Sequence, residues 1–457
     1  MTAPPATKPE TTRNARVESL LSAPIAPMVV RLAAPGIVLV AFQSMVSITD
    51  AFFVGRLGTA PLAGLSLVFP MLMLLQMMSA GAMGGGVASA IARALGAGDE
   101  KAARSLTVHA VIIGAALGLV FTVLILAAGA PVYRLLGGRG PVLDEALAYS
   151  NLIFSGAVLV WLANTLASLL RGSGNTLAPA LAFAGTAIVQ VPLSGALTLG
   201  WGPFPRLGIT GAATAYVIAF GLASLAMAVL VWQSALRPQR THLRLEAKLF
   251  REILRVGAIS SLSALQTVLT AVVLTGFVAR FGTAALAGYG VGVRLELLQV
   301  PIVFAIAQAL VVMVGTNIGA GQAERAKKIA WTGTAAAALI CLVIGGSVAI
   351  FPHLWVRIFS DDAAVLEIGS LYMRIVAPLY PLFGAGLALY FASQGAGQML
   401  KPVLAGTLRL VLVVVGGALV MKFDGPLTAL FGVAAFGLAV FGGFTIYAVH
   451  KARWARA

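Results

Sequence analysis

Val54-Gly55-Arg56-Leu57-Gly58-Thr59-Ala60-Pro61-Leu62-Ala63-Gly64 recurs 224 positions later as Val278-Ala279-Arg280-Phe281-Gly282-Thr283-Ala284-Ala285-Leu286-Ala287-Gly288. Two further matches follow in the same order. Gly96-Ala97-Gly98 returns as Gly319-Ala320-Gly321, and Gly172-Ser173-Gly174-Asn175 with Pro179 returns as Gly395-Ala396-Gly397-Gln398 with Pro402, both at an offset of 223. Three ordered matches at nearly one spacing mean that the chain is two structural copies of about half its length. In a membrane protein such duplication implies two lobes with a site between them, as transporters are built.

Composition places the chain in a bilayer. Apolar residues make up 60% and charged residues 10%, against about 45–50% and about 25% in soluble domains. The stretch 106–130 has no Asp, Glu, Lys or Arg, and a span of the hydrocarbon core needs about 20 such residues. The single cysteine, Cys341, excludes an internal disulfide or a cysteine-built metal site. A net charge of +16 would suit nucleic acid, but the basic residues lie in short connectors between apolar runs, where they set topology. No metal cluster, nucleotide motif or Ser/His/Asp set is present, so an enzyme or an ATP-driven pump is a poor fit, and no cofactor is expected.

Twelve apolar spans can be drawn, at about 28–52, 66–92, 106–130, 147–170, 178–200, 210–233, 256–279, 295–317, 330–352, 369–392, 403–421 and 430–450. With both termini inside, inner segments hold 22 of the 31 Lys and Arg, Arg409 counted among them, and outer segments 9. That bias predicts cytoplasmic termini. Six spans separate the copies, an even number, so the two repeats are parallel. The expected organisation is a disordered tail over 1–27, an N-lobe over 28–233, a basic linker over 234–255 lying on the cytoplasmic surface, a C-lobe over 256–450 and a short tail over 451–457. The fold class is all-α integral membrane, twelve helices in two parallel six-helix repeats.

An acid at membrane depth is expensive and is a functional candidate by default. Of the fifteen acids, nearly all fall in tails or connectors, which leaves Asp50 and Glu296. Asp50 closes span 1, with Ser47 one turn before it on the same face, and its counterpart in the second copy is Leu274, so the fold itself needs no acid there. Its bland alternative is a solvated interfacial Asp or a pair with Arg56. Glu296 opens span 8 and either faces a cavity or pairs with Arg294 at the outer boundary. Gln76, Met77, Gln266 and Gln299 complete the expected substrate-cavity set; the methionines of span 2 offer a surface that adapts to varied ligands. His109 reads as an interfacial histidine, and Gly84-Gly85-Gly86 as a close-packing surface.

These residues carry a resemblance. Asp50-Ala-Phe-Phe-Val54-Gly55-Arg56-Leu-Gly58 with Leu62-Ala63, Gly315-Thr-Asn317-Ile-Gly319-Ala320-Gly321 with Arg325-Ala326, and Arg171-Gly172-Ser-Gly174-Asn175 resemble motifs of the multidrug and toxic compound extrusion (MATE) family, bacterial DinF-like branch. The resemblance covers residues 30–450. It implies a V-shaped two-lobe transporter that exports cationic or amphipathic small molecules by alternating access, driven by an ion gradient, from the bacterial inner membrane and as a monomer. It also implies Asp50 as the protonation site. Two departures stand out: the Asn and Asp that relatives place four apart in span 5 fall at Gln190 and Ser194, and the acids that sodium-coupled relatives carry in spans 7 and 10 are missing. One formal charge suffices for a proton, whereas sodium needs several oxygens, for which Gln190, Ser194, Ser47 and Asn164 are the candidates. The proton is therefore favoured and sodium is the alternative. The competing function is a flippase for lipid-linked cell-wall or polysaccharide precursors, which would favour several arginines gripping a pyrophosphate; the first six spans have none at mid-depth.

Overall fold

The computed structural model describes residues 15–239 and 244–454. In lipid a backbone satisfies its polar groups only within helices or closed barrels, and the described residues contain helices and no strand. Their order is α1 (Ala15–Ser22), α2 (Ile25–Gly55), α3 (Thr59–Gln76), a π-helical turn (Met77–Met83), α4 (Gly84–Gly96), α5 (Glu100–Leu135), α6 (Gly140–Ser155), α7 (Ala157–Gly172), α8 (Leu177–Leu199), α9 (Ile209–Trp232), α10 (Ala247–Ala279), α11 (Thr283–Gly319), α12 (Ala323–Ile350), α13 (Pro352–Val356), α14 (Ala363–Val376), a 3-10 turn (Ala377–Leu379), α15 (Tyr380–Gly395), α16 (Leu400–Lys422) and α17 (Leu427–His450).

Eleven of these rods are long and apolar enough to cross a bilayer, and α6 with α7 forms a twelfth, bent by 49° at Gly156. Each of the twelve drawn spans has its helix. The helices overrun the apolar runs, since the hydrogen-bond ladder continues past the hydrocarbon edge for as long as nothing breaks it. The breaks are the repeated glycines. Gly58 and Gly282, Gly98 and Gly321, and Gly174 and Gly397 all hold positive φ, between 73° and 128°, a region open to glycine at little cost. The two copies thus repeat a backbone, not only a motif.

The lobes meet along the half of the molecule that carries the termini. There an ideal Cβ on Gly96 would lie 2.0 Å from the Thr316 carbonyl oxygen, one on Gly319 2.1 Å from the Arg93 carbonyl oxygen, and one on Gly86 2.9 Å from the Gly257 nitrogen. The Gly84-Gly85-Gly86 run is a packing surface, as read from the sequence. Arg93 reaches from α4 to Glu252 of α10 at 3.3 Å and donates to the Gly395 carbonyl at 3.1 Å. Gln394 of α15 donates to the carbonyls of Gly81 and Ala82 in the π-helical turn, at 3.3 and 3.0 Å, where the altered hydrogen-bond register leaves acceptors for it. Since backbone meets backbone at Gly319, Gly319→Ala is expected to destabilise this packing by about 1–3 kcal/mol, seen as a lower thermal midpoint of the purified protein. An unchanged midpoint would mean that the interface yields freely.

Several expectations are corrected. The 1–27 tail is helical over α1, whose Val17, Leu20 and Leu21 are buried; Asn317 donates to the Leu20 carbonyl at 3.1 Å and Arg325 to that of Ala23. Residues 1–14 lie outside the described residues. The first half of α2 packs with the C-lobe, Met28, Val29, Leu32 and Ala33 sharing a core with Val312 and Met313 of α11. The linker is shorter than 234–255, because α10 begins at Ala247; residues 240–243 of it are outside the described residues. His109 is fully buried rather than solvated. Its Nε2 accepts from the Glu246 backbone N–H at 2.9 Å, so its proton sits on Nδ1, which faces the Ser105 carbonyl at 2.8 Å. It bolts the start of the second copy to α5.

Candidate functional site

Asp50 lies five residues before the end of α2 and is only 7% exposed. Gln190 and Ser194 stand one turn apart on α8, hence on one face, and both point at it. Ser194 Oγ donates to Asp50 Oδ1 at 2.5 Å and Gln190 Nε2 to Oδ2 at 3.3 Å. The next residue lets the helices come this close: a Cβ on Gly195 would lie 2.7 Å from Trp201 and 2.8 Å from Phe53, whose rings meet edge to face at 5.3 Å. Arg56 does not pair with Asp50; its guanidinium stacks over Phe52 at 4.9 Å. Among the described residues no cation lies within ion-pair distance of the carboxylate, the two ion pairs being Arg93–Glu252 and Arg104–Glu100.

A second polar chain stands beside this triad. Asn164 of α7 donates to Gln76 Oε1 at 3.0 Å and to Ser79 Oγ at 2.9 Å, and Gln76 Nε2 bonds the Tyr216 hydroxyl at 3.0 Å. Tyr216 and Tyr149, both on neighbouring helices, are within electrostatic reach of Asp50. Neither tyrosine was singled out from the sequence. The repeat held a clue, since Tyr149 and Tyr372 are counterparts at the 223 offset. Ser47 is exposed on α2 and has no hydrogen bond to the triad, so the expected coupling set divides into Asp50–Gln190–Ser194, the Asn164 chain and an outlying Ser47.

The expected cavity residues divide between the lobes. Gln76 belongs to the N-lobe chain above, and Met77 opens the π-helical turn. In the C-lobe Gln266 donates to Thr407 Oγ1 at 2.7 Å, tying α10 to α16, and Gln299 is 1% exposed, with its Oε1 unpartnered. Glu296 is not at the start of a span: α11 begins at Thr283, thirteen residues or about 20 Å earlier at 1.5 Å per residue. Nor does it pair with Arg294, which stacks over Phe359 at 5.0 Å. The Tyr372 hydroxyl donates to its Oε1, and Arg409, Tyr289 and Tyr380 lie within its electrostatic reach. Arg409, inside the drawn span 403–421 although it counts with the inner segments in the charge bias, sits near the middle of α16.

A polar site in each lobe of a duplicated bundle is transporter architecture, and the comparisons agree. The MatE family model matches residues 35–195 and 260–419, one stretch in each repeat. The chain is 28% identical over 440 residues to the FAD transporter of Shewanella oneidensis, covering 92% of this chain and 95% of that one. It is 24% identical over 376 residues to the probable multidrug resistance protein NorM of Thermotoga maritima, covering 82% and 81%. Among solved structures, a MOP superfamily transporter from Pyrococcus furiosus superposes with a TM-score of 0.87 at 24% identity, over 96% of this chain and 98% of that one. A MATE family transporter in an outward-facing conformation gives 0.84 at 24% identity, over 96% and 100%. This chain belongs to the multidrug and toxic compound extrusion family of multi-pass membrane transporters.

Proposed function

We propose that the chain is a proton-driven antiporter that exports cationic or amphipathic small molecules by alternating access across the bacterial inner membrane, with both termini cytoplasmic. The observation that carries this reading is a buried carboxylate, Asp50, held by two neutral donors and, among the described residues, by no cation. A charge in that setting is costly, and taking up a proton removes the cost. Protonation also turns one acceptor oxygen into a donor, so the hydroxyl of Ser194 must rotate or withdraw. Occupancy of one proton is thereby coupled to the α2–α8 contact. Sodium is served less well: the triad has one formal charge, and Gln190 presents its amide nitrogen to it. The flippase alternative is not favoured, because the N-lobe network contains no arginine.

The contact of the lobes near the termini, with Asp50 toward the other end, is what an outward-open state of such a cycle requires. The deciding measurement is efflux from proteoliposomes under an imposed pH gradient with sodium absent. Export restored only by a sodium gradient would defeat the proton reading. For sidedness, with Cys341 replaced by Ala, a cysteine at Gly137 is expected to react with an impermeant maleimide in whole cells and one at Arg244 to be protected. The reverse pattern would invert the topology.

A further inference from the structure

We infer that the C-lobe holds a binding subsite for an anionic group of the transported molecule, a carboxylate or phosphate, centred on Arg409. The inference rests on the transporter reading but not on the coupling ion. Arg409 of α16 and Glu296 of α11 each lie thirteen residues, about 20 Å, from the helix end at the face opposite the termini. They therefore share a depth well inside a hydrocarbon core about 30 Å thick.

At that depth a guanidinium is kept only with a partner or a task. Arg409 packs its stem against Gly437 of α17, and its guanidinium carbon lies 5.8 Å from the Phe383 ring centroid. Among the described residues it has no ion pair within 4.0 Å and no hydrogen-bonded acceptor, and its Nε is buried and orphaned. The obvious acceptor, Glu296, is engaged instead by the Tyr372 hydroxyl. The Tyr380 hydroxyl lies on the same carboxylate, so Glu296 is turned to two tyrosines.

A buried donor of the Arg409 guanidinium is therefore left unfilled, and such a fork suits bidentate binding of carboxylate or phosphate. Arg409 and Glu296 both keep part of their surface outside the packed interior. The counterpart of Arg409 at the 223 offset is Thr186, and that of Glu296 is Met73. The cluster is thus an addition of the second copy and not a requirement of the fold. The duplication has given one lobe a carboxylate without a cation and the other a cation without an engaged anion.

The test is equilibrium binding by fluorescence anisotropy, without any gradient, of a xanthene dye as its free carboxylate and as its methyl ester. The pair differs in one negative charge. Purified protein in phosphatidylcholine nanodiscs is expected to bind the free acid about tenfold more tightly than the ester, the worth of one charge-assisted bond. Arg409→Gln should bring that ratio to about one, Arg409→Lys should keep part of it, and Glu296→Gln should keep or raise it. Asp50→Asn should leave the ratio unchanged, which separates this site from proton coupling. Competition by benzoate against phenyl phosphate tells which anion fits better. Nanodiscs containing phosphatidylglycerol ask whether a lipid headgroup takes the place instead; loss of the preference there would reassign the site to lipid and overturn the substrate reading. No preference in the wild type, or the same preference in folded Arg409→Gln, would overturn it as well. Should Arg409→Gln fail to fold, Arg409→Lys with a wild-type ratio gives the same refutation.

Discussion

Asp50→Asn is expected to insert and fold as the wild type does, yet to export no dye above the rate of protein-free liposomes under a pH gradient. Asn keeps the shape of Asp and can accept from Ser194, so the α2–α8 contact survives. It cannot exchange a proton, and on the proton-driven reading that exchange is the coupling step. Removing a buried charge that has no partner cation does not weaken the fold; replacing ionic groups by neutral ones in an interior is often neutral or stabilising. The thermal midpoint in detergent should therefore match or exceed that of the wild type, so a loss of transport cannot be put down to misfolding. Ser194→Ala provides a graded companion. It removes one charge-assisted hydrogen bond, about 1.5–3 kcal/mol, and should slow export without stopping it. Wild-type efflux by Asp50→Asn would remove Asp50 from the coupling role.

Arg93→Ala should open the face that carries the termini. The side chain is 12% exposed, and Glu252, its partner, 34%, so the pair is only partly desolvated. Breaking a buried pair costs about 3–5 kcal/mol, and solvent at Glu252 reduces that figure toward 1–2 kcal/mol. The bond from Arg93 to the Gly395 carbonyl is lost in the same change. Together these are enough to shift a two-state equilibrium by about tenfold to a hundredfold. Spin labels at Glu100 and Glu324, the exposed starts of α5 and α12 in opposite lobes, should report a longer and broader distance distribution in Arg93→Ala. Exchanging the charges, Arg93→Glu with Glu252→Arg, should recover part of the original distribution. A distribution unchanged by Arg93→Ala would show that the close glycine packing holds the lobes together without the ion pair.

The sequence alone determined the membrane class, the twelve crossings and the parallel duplication, and marked Asp50 as a candidate. Each is carried by a local property: the length of an apolar run, the lopsided placement of Lys and Arg, a motif recurring at one offset, an acid where apolar residues surround it. The glycines of the repeat were legible for the same reason, since a backbone turn at positive φ is a demand on one residue. The partners of Asp50 at Gln190 and Ser194 came from a family likeness, not from spacing, because the 140 and 144 residues between them and Asp50 carry no periodic signal. Only the tertiary structure decided which polar side chains face one another. It buried His109 against the Glu246 amide, drew Tyr149 and Tyr216 toward Asp50, and turned Glu296 from Arg294 to Tyr372. It also made α1 part of the seal between the lobes. Helix ends and pairings of this kind depend on how far a hydrogen-bond ladder runs beyond the apolar stretch and on which faces two helices turn to each other. Both are settled by contacts between residues hundreds of positions apart, where a single chain read in order has no voice.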